Sequence, residues 1–376
     1  MVLSHLTKGG GFMKKNYLVI LLFVFIYGCI NKPNENVLKI GIIYPLTGDA
    51  SFWGENASAG SRLAINNFTG RNYLKNYSIR PYVLDSKSQS KEAVNCLNKA
   101  IFQDNIKFII GDLVSSNLVA MMPILNNNKI VAIGQGSTPL LKKENDFIFR
   151  TFPSDDIQGN VISDFIKNFY ANEKVSLFYI NNDYGLGISN VILEKLPNNI
   201  DLLLTYDNKS RDFKNLLIKF LNKKIIVIIG YPEEIPIILK QLNELKYSGT
   251  IVGTETFQND KVIQGNYSFT TYYSNPLGSD TTNNVFLKFR NDFVNQYSRQ
   301  PNMPADMAYD GTLLMLEAID SIGFNTENVK KVLSNTANFN GASGNITFDL
   351  FGDVIKPFTI NEIVQGKTII KWKWGK

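Results

Sequence analysis

Short apolar runs alternate with helix-length amphipathic segments through most of this 376-residue chain, and this alternation limits its fold more than any other feature. The first unit begins with an apolar run at 40–44, turns at Pro45, and continues into a helical pattern that reaches Asn67. Such strand–loop–helix units build parallel sheets that are covered by helices. Because ligands bind beyond the carboxyl ends of the strands in these folds, the loops that follow the strands are candidate site elements. A unit without any ligand role would show the same pattern.

Three glycines stand six residues apart in this first unit, at Gly48, Gly54 and Gly60. Glycine is favoured where the backbone turns or where a helix packs closely against a neighbour. The spacing therefore predicts a turn after the first strand and a close approach of the first helix to another element. The helical spacing of Leu63, Ala64 and Phe68 predicts that these side chains face the sheet.

The alternation falls into two series, one up to residue 151 and a second that starts after Pro153 and reaches Gly253. Each series is long enough to build its own sheet and core. After Thr271 the order changes to two consecutive helical segments, at 285–297 and 304–322, and then to strand-like segments at 344–349, 358–363 and 367–374. The sequence thus predicts an α/β fold with two successive parallel-core sheets.

Residues 13–29 have the features of a secretion signal. Lys14 and Lys15 precede an apolar stretch at 17–27 that is shorter than the about 20 residues needed to cross a bilayer. The sequence IYGC at 26–29 resembles a bacterial lipobox, which implies cleavage before Cys29 and attachment of lipid to its thiol. We therefore predict a signal peptide at 1–28 and a lipidated tether at 29–36. An uncleaved N-terminal anchor is the alternative.

Charge and residue usage disfavour several classes of function. The formal net charge of +6 falls to +3 when Lys8, Lys14 and Lys15 leave with the leader, and this is too small to indicate nucleic-acid binding. The single histidine, His5, precedes the leader, so the mature chain has no histidine for a nucleophile–base pair or a metal site. No G-x-G-x-x-G fingerprint follows the first strand. We expect no enzyme activity, no cofactor and no metal.

Several short motifs then occur in a fixed order along the chain. They are PLTG at 45–48 with Gly54 and Gly60, IG at 110–111 followed by SS at 115–116, GSTP at 136–139, FR at 149–150, NDYG at 182–185, GTE at 253–255, AYD at 308–310 and GNITFD at 344–349. Each motif alone is common. Together, from about Val37 to the end, they resemble the leucine/isoleucine/valine-binding branch of type I periplasmic solute-binding proteins, the receptors of ABC importers.

The resemblance implies two Rossmann-like lobes joined by a three-segment hinge. Carried over to this chain, the N-terminal lobe comprises 37–153 plus 272–341, and the C-terminal lobe comprises 154–271 plus 342–376. The three crossings then fall near Pro153, Thr271 and Gly341.

The resemblance also implies that a small amino acid-like ligand binds between the lobes. Its carboxylate would be held by Ser115, Ser137, Thr138 and the backbone of Gly136, and its ammonium by Glu255. The residue types agree, because a helix start with free N–H groups favours an anion and a buried carboxylate needs a cation. Simpler roles are an N-cap for Ser115 and a solvent-exposed loop position for Glu255.

Three aromatic residues complete the implied site. Tyr184 would cap the ligand through its ring and its hydroxyl, while Trp53, in the first-lobe loop, and Tyr231 would form the walls. Core packing is the alternative role for Tyr184, and packing against a neighbouring helix is the alternative for the other two. Trp53 stands where tyrosine is common in the family, a change that alters the expected pocket shape.

The resulting interpretation is an extracytoplasmic, lipid-anchored receptor that closes around a branched-chain or other apolar amino acid and delivers it to an ABC permease. The alternative is a ligand-sensing receptor module of the same fold for an amide, urea-like or carboxylate solute. An enzyme on a Rossmann-like fold is disfavoured by the absent histidine and by the lack of a nucleophile–base pair.

Overall fold

The computed structural model describes residues 36–207, 210–276 and 283–374. The predicted leader, Cys29 and all but the last residue of the tether lie outside these residues. The strands in the first half are β1 (Val37–Tyr44), β2 (Ser78–Asp85), β3 (Phe108–Gly111), β4 (Val131–Gly134), β5 (Ile148–Arg150), β6 (Val175–Ile180) and β7 (Ile200–Tyr206). Those in the second half are β8 (Ile225–Ile229), β9 (Thr250–Gly253), β10 (Thr270–Pro276), β11 (Phe339–Gly341), β12 (Gly344–Ile346), β13 (Phe358–Val364) and β14 (Lys367–Trp374).

Helices follow most of the parallel strands. They are α1 (Ser51–Asn67), α2 (Ser90–Asn98), α3 (Ser115–Asn127), α4 (Asp155–Phe169), α5 (Asp183–Lys195), α6 (Lys214–Leu217), α7 (Ile235–Glu244), α8 (Asp260–Ile263), α9 (Asn284–Tyr297), α10 (Ala305–Ile322) and α11 (Thr326–Ser334). A π-helical turn (Lys99–Gln103) extends α2, and 3₁₀ turns lie at Pro139–Leu141, Ile218–Phe220 and Glu255–Phe257. Among the described helices, none combines the length and the apolarity that crossing a bilayer requires.

The first sheet has five strands in the order β2-β1-β3-β4-β5 within the described chain. Strands β1, β3, β4 and β5 pair in parallel. The short strands β3 and β4 consist of apolar residues and glycine and are buried at every position, as expected for a parallel sheet covered on both faces. The first predicted series is therefore confirmed as one sheet, with helix α10 returning to pack in the core on one of its faces.

The second sheet has seven strands in the order β14-β13-β10-β9-β8-β6-β7, again within the described chain. Strands β7, β6, β8, β9 and β10 form its parallel core, and β13 and β14 add an antiparallel edge. The predicted strands near 358–363 and 367–374 are confirmed. The strand predicted at 344–349 is shorter, because β12 pairs with β11 in a separate two-stranded hairpin. Helix α11 was absent from the sequence prediction.

The packing bears on where the chain passes between the sheets. The crossing predicted near Pro153 fits, because β5 belongs to the first sheet and α4 packs in the core of the second. Strand β10 stays in the second sheet up to Pro276, beyond the crossing predicted near Thr271. Phe348 and Val354 pack in the core of the first sheet, which favours a third crossing after Val354 instead of near Gly341. The division of the chain into lobes itself stays a prediction.

The three evenly spaced glycines occupy the kinds of position predicted for them. Gly48 turns the chain with a φ of +88°. A Cβ on Gly54 would lie 1.9 Å from the carbonyl oxygen of Pro45, and one on Gly60 would lie 2.0 Å from that of Ala305. Helix α1 can therefore approach the turn after β1 at Gly54 and helix α10 at Gly60 only because both residues lack side chains.

The predicted orientation of α1 is partly wrong. Phe68 packs with the core of the first sheet as expected, but Leu63 and Ala64 pack with side chains of α9 and α10, including Phe289. A 3.6-residue period identifies a buried face of a helix, but it does not distinguish a neighbouring sheet from a neighbouring helix.

Candidate functional site

The loops that carry the predicted site residues converge at the carboxyl ends of both parallel sheets. In the first sheet the strand order reverses between β1 and β3, and in the second it reverses between β6 and β8. Such reversal points open a crevice between loops that lead to opposite faces of a sheet. Six of the eight predicted ligand residues line one cavity there, together with five others. The lining residues are Trp53, Leu113, Ser115, Gln135, Ser137, Phe152, Tyr184, Tyr231, Glu255, Met303 and Pro304.

One side of the cavity presents a hydroxyl group that two backbone amides hold in place. Ser115 is the first residue of α3, whereas the N-cap position is Val114, which makes no side-chain capping bond. The N-cap role considered for Ser115 is therefore wrong. Its Oγ instead accepts hydrogen bonds from the N–H groups of Ser137 and Thr138, each at 3.3 Å. A serine oxygen that accepts two such bonds keeps its own O–H free to donate, and an O–H at the start of a helix suits a carboxylate group.

The other two residues predicted for this side, Gly136 and Thr138, use polar groups in hydrogen bonds within the protein. The N–H of Gly136 donates to the carbonyl oxygen of Asp112 at 3.3 Å, so the ligand role of that N–H stays a prediction without support from this geometry. The hydroxyl of Thr138 accepts a hydrogen bond from the N–H of Leu140 at 3.4 Å, and its side chain is buried. The amides of Ser137 and Thr138 are also used within the protein, because both donate to Ser115 Oγ. This leaves the O–H of Ser115 to donate into the cavity.

Glu255 lies on the other side of the cavity, directly after β9, and only 3% of its surface is exposed. The solvent-exposed role considered for it is therefore wrong. Gln158 donates from Nε2 to Glu255 Oε2 at 2.6 Å, and the Tyr184 hydroxyl lies 3.1 Å from Oε1. Burial raises the pKa of the Glu255 carboxyl above its ordinary value, and the bond from Gln158 offsets part of that rise.

A second buried carboxylate, which the sequence analysis missed, belongs to Asp155 at the start of α4. The residue is fully buried, and the Ser137 side chain and the charge of Arg150 compensate its carboxylate only in part. Burial raises the pKa of Asp155 well above its ordinary value, and the negative charge of Glu255 raises it further. Acidic residues are common in the first turn of any helix, so the sequence gave no reason to single out this one.

The two predicted tyrosines form a stacked pair between these acids and the second core. The rings of Tyr184 and Tyr231 lie 5.7 Å apart between centroids and 16° from parallel. Asn182 donates from Nδ2 to the Tyr231 hydroxyl at 2.9 Å and also caps α5 by accepting from the N–H of Gly185. Both tyrosines belong to the core of the second sheet while lining the cavity, so the core and pocket-wall roles coexist.

Trp53 was predicted in a loop, and that placement is wrong. It lies in the first turn of α1, because the turn after β1 is short and the helix already begins at Ser51. From there its side chain packs against the core cluster of the second sheet while lining the cavity. Trp53 thus links helix α1, which follows β1 of the first sheet, to the core of the second sheet.

Five lining residues were not found from the sequence: Leu113, Gln135, Phe152, Met303 and Pro304. Gln135 precedes the GSTP motif and could have been included with it. Its Oε1 accepts from the Tyr44 hydroxyl at 2.6 Å, and its Nε2 donates to Thr151 at 3.0 Å. Met303 and Pro304 precede α10, where no motif marked them. Across the described ranges, no group of three or more His, Cys, Asp or Glu side chains could hold a metal ion.

Comparisons with known proteins match most of the chain. A family profile described as periplasmic binding protein matches residues 37–367. The Leu/Ile/Val-binding protein homolog 3 of Brucella melitensis is 23% identical, over 90% of this chain and 92% of its own length. The crystal structure of a leucine binding protein, LivK, from Thermotoga maritima has a TM-score of 0.79 and 26% identity, and the match covers 89% of this chain and 98% of that one. A solute binding protein of an ABC transporter from R. palustris, in complex with benzoate, has a TM-score of 0.80 at 17% identity, over 90% and 96% of the two chains, so the likeness shows the fold alone.

The raised pKa of Glu255 leads to a prediction about stability. Above that pKa the native state holds a buried charge that the unfolded chain exposes to water, so stability falls as pH rises from the ordinary pKa through the raised one. Glu255→Gln should therefore raise the free energy of unfolding of the ligand-free protein at about pH 8, by about 1–3 kcal/mol. The new amide can donate to Gln158 Oε1, which lacks a partner among the described residues. Urea unfolding measures the change.

The matched control is Glu244→Gln, because Glu244 is exposed and paired with Lys214. It should leave the urea midpoint unchanged at about pH 8. A Glu255→Gln variant that is less stable than the parent protein at about pH 8 would show that the native state gains stability from the buried charge.

Proposed function

Since the chain belongs to the periplasmic binding protein family, whose members are solute receptors and not enzymes, we propose that it binds an amino acid between its two halves and passes it to an ABC importer. One observation carries this proposal. The Ser115 hydroxyl, from the loop after β3, and the buried acid Glu255, from the loop after β9, line the same cavity. A zwitterion has the matching pair of charges.

The groups around the cavity support a ligand with an amine, a carboxylate and an apolar side chain. Two neighbouring buried carboxylates disfavour each other's ionised form, and a bound ammonium removes that penalty. The Ser115 hydroxyl suits the carboxylate. Apolar and aromatic surface forms much of the remaining wall, contributed by Trp53, Leu113, Phe152, Tyr231 and Met303. The names of the relatives, which refer to leucine, isoleucine and valine, support a branched-chain side chain.

Binding on this proposal works by closure of the two halves around the ligand. An open form exposes the donors at Ser115, and closure then brings Glu255 and Tyr184 onto the ammonium. Only the closed form makes both sets of contacts, so the ligand shifts the equilibrium toward it. Each hydrogen bond to a charged group contributes about 1.5–3 kcal/mol, so a few of them outweigh an opening bias of a few kcal/mol.

The proposed partners follow from the family and from the start of the chain. An ABC permease receives the ligand from the closed form, and a lipid on Cys29 holds the receptor at the outer face of the membrane. The IYGC sequence at 26–29 supports the anchor.

A second candidate is a sensory receptor of the same fold that binds a carboxylate, amide or urea-like solute. The structural likeness to a protein solved in complex with benzoate supports this second candidate. The buried acid Glu255 disfavours it, because a ligand without an amine would leave this carboxylate without a cation.

Calorimetric titration with L-leucine, L-isoleucine, L-valine and benzoate tests the proposal. We expect the amino acids to bind and benzoate not to bind. Glu255→Ala should weaken L-leucine binding by about 2–5 kcal/mol, because the ligand ammonium loses its buried counter-charge. The control is Asp156→Asn, a neighbouring acid that pairs with Lys142 at 2.6 Å and should leave the affinity unchanged. Binding of benzoate without binding of any amino acid would contradict the proposal and favour the second candidate.

The raised pKa values of Glu255 and Asp155 predict that binding is coupled to proton release. The ammonium favours the ionised carboxylates, so protons bound by the empty site leave when the ligand enters. Below the raised pKa values, affinity for L-leucine should therefore increase with pH, by up to about tenfold per pH unit for each proton released. Calorimetry in buffers of different ionisation enthalpy counts the protons. Proton uptake, or affinity that falls with rising pH, would contradict the assigned charges.

The proposed anchor leads to a separate prediction about location. Cys29→Ser removes the thiol that would carry the lipid, and the variant should no longer be processed as a lipoprotein. Fractionation of bacteria that express the full chain, together with metabolic labelling by a palmitate analogue, should show label on the parent protein and none on the variant. Label-free parent protein in the membrane fraction would identify the uncleaved leader as the anchor.

A further inference from the structure

Arg150 is buried next to the loop that carries the amides of Ser137 and Thr138. Arg150 ends β5, next to β4, and is only 1% exposed. It is a residue of the first sheet and does not line the cavity. A charge buried this deeply is costly unless it is paired and hydrogen-bonded, so its partners indicate what it does.

The guanidinium group uses four of its five N–H donors on three residues. Nε donates to Asp353 Oδ1 at 2.5 Å, and Nη2 donates to Asp353 Oδ2. Nη1 donates to the carbonyl oxygens of Gly136, at 3.2 Å, and Thr138, at 2.9 Å. Asp353 is itself positioned by a bridge between its backbone and that of Arg150. One side of the planar group is therefore fixed by a carboxylate, while the other holds the site loop.

Because the peptide bond is planar, a contact that fixes a carbonyl oxygen also fixes the direction of the N–H group in the same plane. The carbonyl of Gly136 and the N–H of Ser137 belong to one peptide plane and point in opposite directions. Arg150 holds the oxygen, so the N–H of Ser137 points away from it, toward Ser115 Oγ. The next plane is fixed in the same way, because the backbone N–H of Asp155 donates to the carbonyl of Ser137 at 2.8 Å.

We propose that Arg150, held by Asp353, is a positioning residue that keeps the Ser137 amide on Ser115 Oγ and thereby orients the Ser115 hydroxyl toward the ligand carboxylate. The link to a carboxylate rests on the proposed function, whereas the control of the loop does not. Lysine cannot replace arginine here, because an ammonium offers a point charge instead of a planar fork that spans a carboxylate and two carbonyls. Asp353 has the matching role of fixing the plane of the fork.

Hydrogen exchange of the ligand-free, full-length protein tests the control of the loop. Arg150→Lys should accelerate amide exchange at 136–141 by at least about tenfold, with little change in the core strands of the second sheet. Asp353→Asn is the second variant and should produce the same local change if Arg150→Lys does not fold. Lys356→Met is the matched control. Lys356 is also a buried cation, but it donates to Ser343, away from the loop.

Calorimetry with L-leucine as the probe tests the link to the ligand. Arg150→Lys or Asp353→Asn should weaken binding at least about tenfold, while Lys356→Met should remain within about twofold of the parent protein. Exchange that accelerates throughout the molecule, or no acceleration at 136–141, would show a general structural role and overturn the proposal. Local acceleration with unchanged affinity for L-leucine would overturn it as well. If the parent protein binds no amino acid, the proposed function fails, and the exchange experiment still decides whether Arg150 positions the loop.

Discussion

Buried negative charge that the protein compensates only in part is the constraint on which this site depends. Asp155 and Glu255 lie close enough for each charge to raise the other's cost, and burial has already raised the pKa of both carboxyls. Gln158 and Tyr184 satisfy Glu255 with hydrogen bonds but bring no positive charge. A structure that keeps such groups gives up stability in the ligand-free state, and on the proposed function it recovers that free energy when an ammonium enters.

The opposite side of the cavity is organised by backbone geometry instead of charge. Parallel strands deliver their carboxyl ends to one edge of a sheet, so the loops after β3 and β4 meet without any long insertion. Ser115 supplies a hydroxyl, and the peptide planes of the next loop supply amides whose direction is fixed from behind by Arg150. The cavity therefore joins a rigid set of donors in one half to a set of acids in the other. On the proposed function, a ligand that carries both charges is the solute that stabilises the closed form most.

The fold could be predicted from the sequence because its signals are local. Runs of apolar residues at strand length, separated by amphipathic segments, determine two parallel-core sheets, and the glycines of α1 mark close contacts that do occur. Where the chain passes between the sheets is harder to predict, because it depends on which core accepts Phe348 and Val354. The pattern of apolar residues does not indicate which of the two cores a given side chain joins. Trp53 was misplaced for a related reason, since the start of a helix after a short turn has no sharp signal when no side chain caps it.

The candidate site was predictable where a motif marked a loop, and it was missed where a residue acts through tertiary contacts. Glu255 and Tyr184 follow strands within recognisable motifs, and the structure places both at the cavity. Asp155 looks like an ordinary first-turn acid, and Gln158 like an ordinary helix residue, until the folded chain brings them beside Glu255. Arg150 was noticed only as part of a motif, because its partner Asp353 lies about two hundred residues away.

The proposed role of Glu255 is to bind the ligand's amine, and a thermodynamic cycle separates this role from a general effect on the pocket. The cycle compares the affinities of L-leucine and of isocaproate, which is leucine without its amino group, for the parent protein and for Glu255→Gln. Glu255→Gln should weaken L-leucine binding at least about a hundredfold and should leave isocaproate binding unchanged or stronger, because the acid no longer faces a ligand without a cation. An equal loss of affinity for both ligands would contradict the claim, since Glu255 would then act on the pocket and not on the amine.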